Sequence, residues 1–200
     1  MLVTDSNDGS FILSLFPSNV YCKSELLLLE LDEISNKIYN MKIDTSRTNQ
    51  LFVKSSHLTN DQLHTYEEFK ILTDTIMREI KIFAEKLGYS EKQRNKFKFI
   101  NMWFNQSGLG DYNFPHTHNG SLFSGVFYLK AIDENHIYFH DFSDISIEPE
   151  VPNNLSFRTA VLNCKPGTIY IFKSDLIHSN PRQCENGEKL AVSFNIRISD

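Results

Sequence analysis

The chain is poor in cysteine, and what it has forms no pattern. Cys22, Cys164 and Cys184 are odd in number and widely spaced. No Cys-x-x-Cys pair occurs, so neither a thiolate zinc site nor a dithiol redox centre is expected. The three read as reduced thiols, and the protein as cytoplasmic. Basic runs are also missing. With a net charge of −5 and a pI near 5.8, broad binding to nucleic acid or to an anionic membrane is not expected. The longest apolar run, Leu26–Leu29, is far short of the ~20 residues that span a bilayer. The start, MLVTDSNDGSF, lacks a basic stretch followed by a long apolar one, so no secretory signal is expected. There are no internal repeats and no low-complexity tract.

What is present suits one well-filled domain. Hydrophobic residues make up 40% of the 200, and there are 16 phenylalanines beside a single tryptophan. Ser10–Phe16 reads as a strand, stopped by Pro17-Ser18-Asn19. A helix follows, with Ser24 as N-cap, Glu25 in the first turn and an apolar stripe of Leu27, Leu31, Ile34, Ile38 and Met41. Residues 43–64 are polar and irregular apart from Leu51-Phe52-Val53, and His57 and His64 read there as solvent-facing or packing residues. A second helix starts at a Thr65-x-x-Glu68 capping box. It runs through Phe69, Leu72, Ile76, Ile80, Phe83 and Leu87 and ends at Gly88.

After about Arg94 the pattern changes to short strands. They are expected at Phe97–Phe104, Leu122–Leu129, Ile137–His140, Thr159–Asn163, Thr168–Phe172 and Leu190–Ile198, with Pro166-Gly167 as a turn. In the first, Phe97, Phe99, Asn101 and Trp103 should share one face. Several short strands at this spacing predict a sandwich or barrel. The acidic, strand-poor segment Asp141–Asn154 reads as a mobile, lid-like loop.

The stretch from Gly110 to Lys130 organises the chemistry. It places His116 and His118 one residue apart, and on an extended backbone such a pair points the same way. Neutral imidazole is the commonest metal-binding side chain. His178, beyond the strand at Thr168–Phe172, is the candidate third ligand from a distant strand. Lys189 follows, in parity with Ala191, Ser193, Asn195 and Arg197, while Val192, Phe194, Ile196 and Ile198 form an apolar face. That polar face is either solvated or lines a polar cavity, where a lysine would suit a carboxylate-bearing ligand. Asn101, Trp103 and Asn105 share a strand face and could line the same pocket, or Trp103 could be core. His136 and His140 are weaker metal candidates because no third ligand has a comparable spacing.

Taken in order, Trp103–Asn105, His116–His118, Ser124–Tyr128, Phe172–Asp175, His178, Lys189 and Ser193–Asn195 resemble the iron(II)- and 2-oxoglutarate-dependent oxygenase superfamily. The likeness is to a bacterial and phage branch with a His-x-His motif, and it covers roughly residues 97–198. The resemblance implies a mainly β fold with some helix: a double-stranded β-helix (jelly-roll) core with the two N-terminal amphipathic helices packed on one sheet. It implies a single domain over 1–200, with 1–93 as support and 94–200 as catalytic core. It implies Fe(II) held by His116, His118 and His178, and 2-oxoglutarate bound by Lys189 with help from Tyr128, Ser193, Asn195 and Arg197. The activity implied is hydroxylation of a C–H bond in a small molecule or peptide, yielding succinate and CO2.

One departure stands out. The superfamily pattern is His-x-Asp/Glu, and here His118 occupies the carboxylate position. Either His118 ligates, or Asp111 or Asp141 supplies the carboxylate. The same departure admits a cupin-type metal dioxygenase or isomerase, since Gly110 to His118 fits Gly-x5-His-x-His, though the cupin Glu and Pro-x-Gly-x2-His strand are missing. A non-catalytic jelly-roll binding module is the remaining alternative. A homodimer paired through edge strands or helices is an expectation from the fold alone.

Overall fold

A computed structural model describes residues 2–5, 11–14, 18–41, 52–141, 150–151 and 156–199. In chain order the strands are β1 (Leu2–Asp5), β2 (Phe11–Ser14), β3 (Val20–Lys23), β4 (Lys54–Ser55), β5 (Phe97–Ser107) and β6 (Asn113–His116). They continue as β7 (Phe123–Lys130), β8 (His136–His140), β9 (Thr159–Asn163), β10 (Ile169–Lys173), β11 (Ile177–Asn180) and β12 (Lys189–Ile198). The helices are α1 (Leu31–Asn40), α2 (Lys70–Lys86) and a short α3 (Glu91–Arg94). A large six-stranded sheet has the order β3-β10-β7-β12-β5-β4, and a small four-stranded sheet the order β6-β11-β8-β9. Every pairing within them is antiparallel. Among the described residues, β1 and β2 pair with each other as a separate two-stranded sheet. The result is the expected jelly-roll, mainly β, with helices against the large sheet.

Alternation along the strands sorts two cores. On β12, Leu190, Val192, Phe194 and Ile196 join Met102, Phe104, Phe123 and Phe127 and the buried faces of α1 and α2. The α2 contribution, Leu72, Ile76, Ile80 and Phe83, recurs every three or four residues, as one helix face requires. Phe123 is the hub, with Phe83, Tyr89 and Phe97 rings 5.3–5.9 Å away. Between the two sheets lies a smaller core of Val126, Tyr128, Ile137, Phe139, Cys164, Tyr170, Phe172 and Ala191.

Several local expectations are corrected. Helix α1 begins at Leu31, not after Ser24. The backbone before it takes positive φ at Glu25 and Leu27, and the Leu26 amide bonds to the Gly167 carbonyl, so tertiary docking outweighs the helical pattern there. No capping box forms at Thr65, whose hydroxyl bonds back to the Gln62 carbonyl in a 3₁₀ turn. A reciprocal box does form at Ser90 and Gln93, heading α3. Gly88 ends α2 at φ +89°, as anticipated. In β5 the register skips Ile100 between the pairs Asn195–Asn101 and Ile196–Phe99. This irregularity turns Phe97 and Phe99 to the helix side with Met102 and Phe104, not to the side of Asn101 and Trp103. Strands β1, β3, β4, β6 and β11 were not anticipated. Most of the loop Asp141–Asn154 lies outside the described residues.

Gly125 shows how tightly the large sheet is packed. It pairs with Ile171 on one side and Phe194 on the other. A Cβ there would sit 2.5 Å from the Tyr170 carbonyl oxygen and press on the Phe194 ring. Gly125→Ala is therefore expected to destabilise the fold by about 1–3 kcal/mol, the usual cost of overpacking. Urea unfolding checks this, and an unchanged midpoint would contradict the packing.

Candidate metal centre

Two of the histidines face each other across a strand pair. His116 ends the edge strand β6, where Pro115 is tolerated, and pairs directly with His178 of β11. His118 lies just past β6, and its amide bonds to the Ser174 carbonyl at 2.8 Å, beyond the end of β10. The ring centroids are 4.3 Å (His116–His178), 5.1 Å (His118–His178) and 5.2 Å (His116–His118) apart. One nitrogen from each lies within 4.8 Å of the others.

The remaining nitrogens are already engaged. His116 Nδ1 bonds to the Phe114 carbonyl at 2.7 Å, and His178 Nδ1 to the Leu176 carbonyl at 3.0 Å. His118 Nδ1 bonds to Asn195 Oδ1 at 2.9 Å. Each acceptor is an oxygen, so each Nδ1 carries the proton and each Nε2 presents a lone pair. Asn195 is held in turn: its Oδ1 accepts from Ser124 Oγ at 2.6 Å, and its Nδ2 donates to Asn101 Oδ1 at 2.8 Å. Ser124 Oγ also meets Ser174 Oγ at 2.7 Å. This is the outer-shell arrangement that fixes a ligand imidazole's tautomer and angle.

Burial keeps the cluster uncharged. It pushes the His118 imidazole down to about 4, with nearby His116 adding to the effect and the Asn195 bond opposing it. His178 is held well below the ordinary imidazole range by burial and by its two neighbours, and His116 is lowered by burial. The His118 Nε2 is buried without a hydrogen-bond partner among the described residues. An unsatisfied buried acceptor costs about 1–3 kcal/mol, a cost that a bound cation would remove. Three neutral imidazoles with neighbouring nitrogens therefore fit a divalent transition metal.

The triad opens on a cavity of about 720 Å³. Lys189, at the start of β12, lines it as well. Its Nζ donates to Asn180 Oδ1 at 3.0 Å, and burial lowers its basicity. Tyr128, Ser193, Asn195, Asn101, Trp103 and Asn105 all line this cavity. The Asn105 amide donates to Ser193 Oγ at 3.0 Å. The Tyr128 phenol is fully buried against the Cys164 thiol, and burial raises it well above its usual range.

Arg197 is the exception among the anticipated residues. It is exposed opposite Lys98, past the irregularity at Ile100, where β12 has left the cavity. Neither proposed carboxylate joins the histidines. Asp111 accepts from the Gly108 amide at 3.0 Å in the Gly-rich turn, and Asp141 is exposed. His136 and His140 lie on the half-exposed face of β8, away from the cluster. His64 stacks on Phe99. His57, read from sequence as solvent-facing or packing, does pack, 4.3 Å from Trp103, but it also lines the cavity. No spacing in the sequence could have shown this, because the link runs through the pairing of β4 with β5.

Two outcomes test the centre. Asn195→Ala should weaken Ni(II) binding by about 10–100-fold, the usual effect of losing an outer-shell partner. Quenching of the single tryptophan, Trp103, which lies 5.8 Å from His118, gives the readout. For pH, the folded histidines are depressed while the unfolded ones titrate near 6.5. The unfolded chain thus binds more protons, and the metal-free protein should lose stability as pH falls from about 6.5 towards 4. His118→Asn should flatten that loss in a thermal melt, and an equally steep loss would contradict the assignment.

Comparison with known proteins agrees with this geometry. Residues 101–195 match the family described as "Putative 2OG-Fe(II) oxygenase". The match begins and ends on the two asparagines that hydrogen-bond beside His118. No curated protein sequence matches the chain. Among solved structures, HygX from Streptomyces hygroscopicus, with nickel and 2-oxoglutarate bound, is similar at 9% identity and a TM-score of 0.63, covering 91% of this chain and 84% of that one. The viral collagen prolyl hydroxylase vCPH from Paramecium Bursaria Chlorella virus-1 is similar at 18% identity and 0.58, covering 90% and 96%. SnoN, an α-ketoglutarate-dependent epimerase from nogalamycin biosynthesis, is similar at 11% and 0.64, covering 90% and 77%. The matched segment runs through every residue of the triad, and the jelly-roll that carries it is the fold these structures share.

Proposed function

We propose that the protein is an Fe(II)- and 2-oxoglutarate-dependent dioxygenase that hydroxylates a C–H bond of a small molecule or peptide. The observation that carries this reading is the pairing, within one cavity, of a neutral three-histidine cluster and a buried lysine. His116, His118 and His178 would hold the ion through Nε2. Iron with 2-oxoglutarate and dioxygen supplies the oxidising chemistry, giving succinate and CO2 as the C–H bond is oxidised.

The chain's own residues bind and exclude water. The Lys189 ammonium would pair with the far carboxylate of 2-oxoglutarate. Burial disfavours its charged form more than the nearby Cys164 and Asp111 favour it, and a carboxylate would restore it. Asn180 Oδ1 holds Nζ in place from the side, and Ser193 and Asn105 offer further polar contacts. Val126, Ile137 and Phe172 line the inner wall with apolar surface. The neighbours on this fold also include an epimerase, so the fate of the oxidised carbon depends on how the second substrate is held.

A second reading has one observation in its favour. Among the described residues the ligand cluster is made of histidines alone, two of them in the His-x-His spacing that a cupin-type metal dioxygenase or isomerase not using 2-oxoglutarate also has. Lys189 discriminates between the two readings, because only the first gives it a partner.

Purified protein loaded with Fe(II) without air, then given 2-oxoglutarate and oxygen, should form succinate slowly without a second substrate. His116→Ala and His178→Ala should abolish it. Lys189→Ala should raise the half-saturating 2-oxoglutarate concentration about 30-fold or more, the cost of removing one partner of a buried charge pair. An unchanged half-saturation would remove Lys189 from its role, and metal binding without any succinate would favour the second reading.

A further inference from the structure

The cavity is larger than the reading so far uses. Ligand cavities of about 300–1,000 Å³ hold drug-sized molecules, and this one measures about 720 Å³. A five-carbon diacid between the triad and Lys189 leaves room at the mouth. There, away from Lys189 along β12, His57, Trp103 and Asn101 line the wall.

His57 is held in place with unusual care for a residue outside regular structure. Its segment is stapled along β5. Lys54 and Ser55 pair with Gln106 and Asn105. The Ser56 amide bonds to the Phe104 carbonyl at 3.1 Å, and the Phe104 amide returns a bond to Ser56 Oγ at 3.2 Å. The His57 amide bonds to Ser55 Oγ at 3.2 Å, and Met102 N bonds to the Asp61 carbonyl at 2.7 Å. The imidazole then lies on the Trp103 indole, 4.3 Å centre to centre and 22° from parallel, and the indole reaches on towards His118. Yet neither ring nitrogen of His57 has a hydrogen-bond partner among the described residues, and neither is fully buried, while the residue lines the cavity. A ring fixed on its face at the wall of a cavity, with unpartnered nitrogens, is placed to bond something that enters it.

The surroundings set the charge of that partner. Among the described residues lining the cavity, Lys189 is the only side chain with a fixed charge. The remainder are uncharged: amides, hydroxyls, aromatics, imidazoles and aliphatic groups. Asp61, whose charge His57 feels, accepts from Gln62 Nε2 at 2.7 Å and does not line the cavity. A charged group brought against His57 would find no counter-ion, and burying one unpaired is costly. An uncharged donor or acceptor meets no such penalty.

We infer that His57 is a substrate-positioning residue, and that the second substrate presents to it an uncharged hydrogen-bonding group, such as a hydroxyl or an amide. This rests on the oxygenase reading only in taking the cavity mouth as the place of the second substrate.

The test uses protein loaded with Ni(II) and 2-oxoglutarate, and reads the emission of Trp103. The probes are N-acetyl amino-acid amides with neutral, acidic or basic side chains, together with glucose, glucuronate and glucosamine. Saturable binding is expected from neutral members, tighter than from their charged counterparts. His57→Phe keeps a ring on the indole but removes both nitrogens, and should weaken that binding about tenfold, the worth of one hydrogen bond. His57→Gln, which restores a donor and an acceptor, should recover part of it. Tighter binding of charged probes, no binding by any neutral probe, or equal binding by His57→Phe overturns the inference. Failure of the metal-centre reading shows separately, as loss of Ni(II) quenching of Trp103 in the unaltered protein before any probe is added.

Discussion

Strand β12 is the constraint on which the rest depends. It lies between β5 and β7 from Leu190 to Ile196, so its register is fixed from both sides there. A slip of one residue would exchange its faces. It would drive Lys189, Ser193 and Asn195 into the helix-covered core and Leu190, Val192 and Phe194 into the cavity. Keeping those aliphatic and aromatic side chains dry therefore also aims the lysine and the asparagine. Packing energy and site geometry are specified by the same alternation.

Asn195 carries that constraint to the metal centre. Superfamily members of the His-x-Asp/Glu type place a carboxylate where this chain has His118. Here the position is filled by a neutral imidazole, whose orientation depends on an amide 77 residues away in sequence and adjacent in space. The amide is satisfied on both sides, by Ser124 and Asn101, so it has little freedom to turn. The ligand set brings no negative charge of its own, and charge balance falls to whatever anion shares the ion. A co-substrate with a carboxylate at each end would answer both this demand and that of Lys189.

The parts legible in sequence were those governed by alternation and strong periodicity. The β12 parity, the α2 stripe and the three histidines could be read because each is a local pattern whose spatial result follows from strand or helix geometry. The irregularity at Ile100 could not be read. It reverses the sides of Phe97 and Phe99 for a reason that exists only in the pairing with β12. Arg197 was misplaced because parity says which side a residue takes and not where the cavity ends. The start of α1 was masked by Leu27, which fits a helical stripe but sits at φ 53° in a segment docked on Gly167. His57 carried no signal, since it belongs to no motif and reaches the site only through a two-residue strand.

The triad is also divided between the two layers of the sandwich. His116 and His178 belong to the small sheet, while His118 is anchored by Ser174 and Asn195, at the end of one large-sheet strand and within another. An ion coordinated by all three would act as a rivet through the sandwich. Its binding energy would then be shared with the seam between the layers, growing with ion concentration by mass action. The small sheet, with four strands to the large sheet's six, is the layer with more to gain. Loading the centre would thus set how often that layer opens, and the protein's resistance to local unfolding would follow its supply of metal.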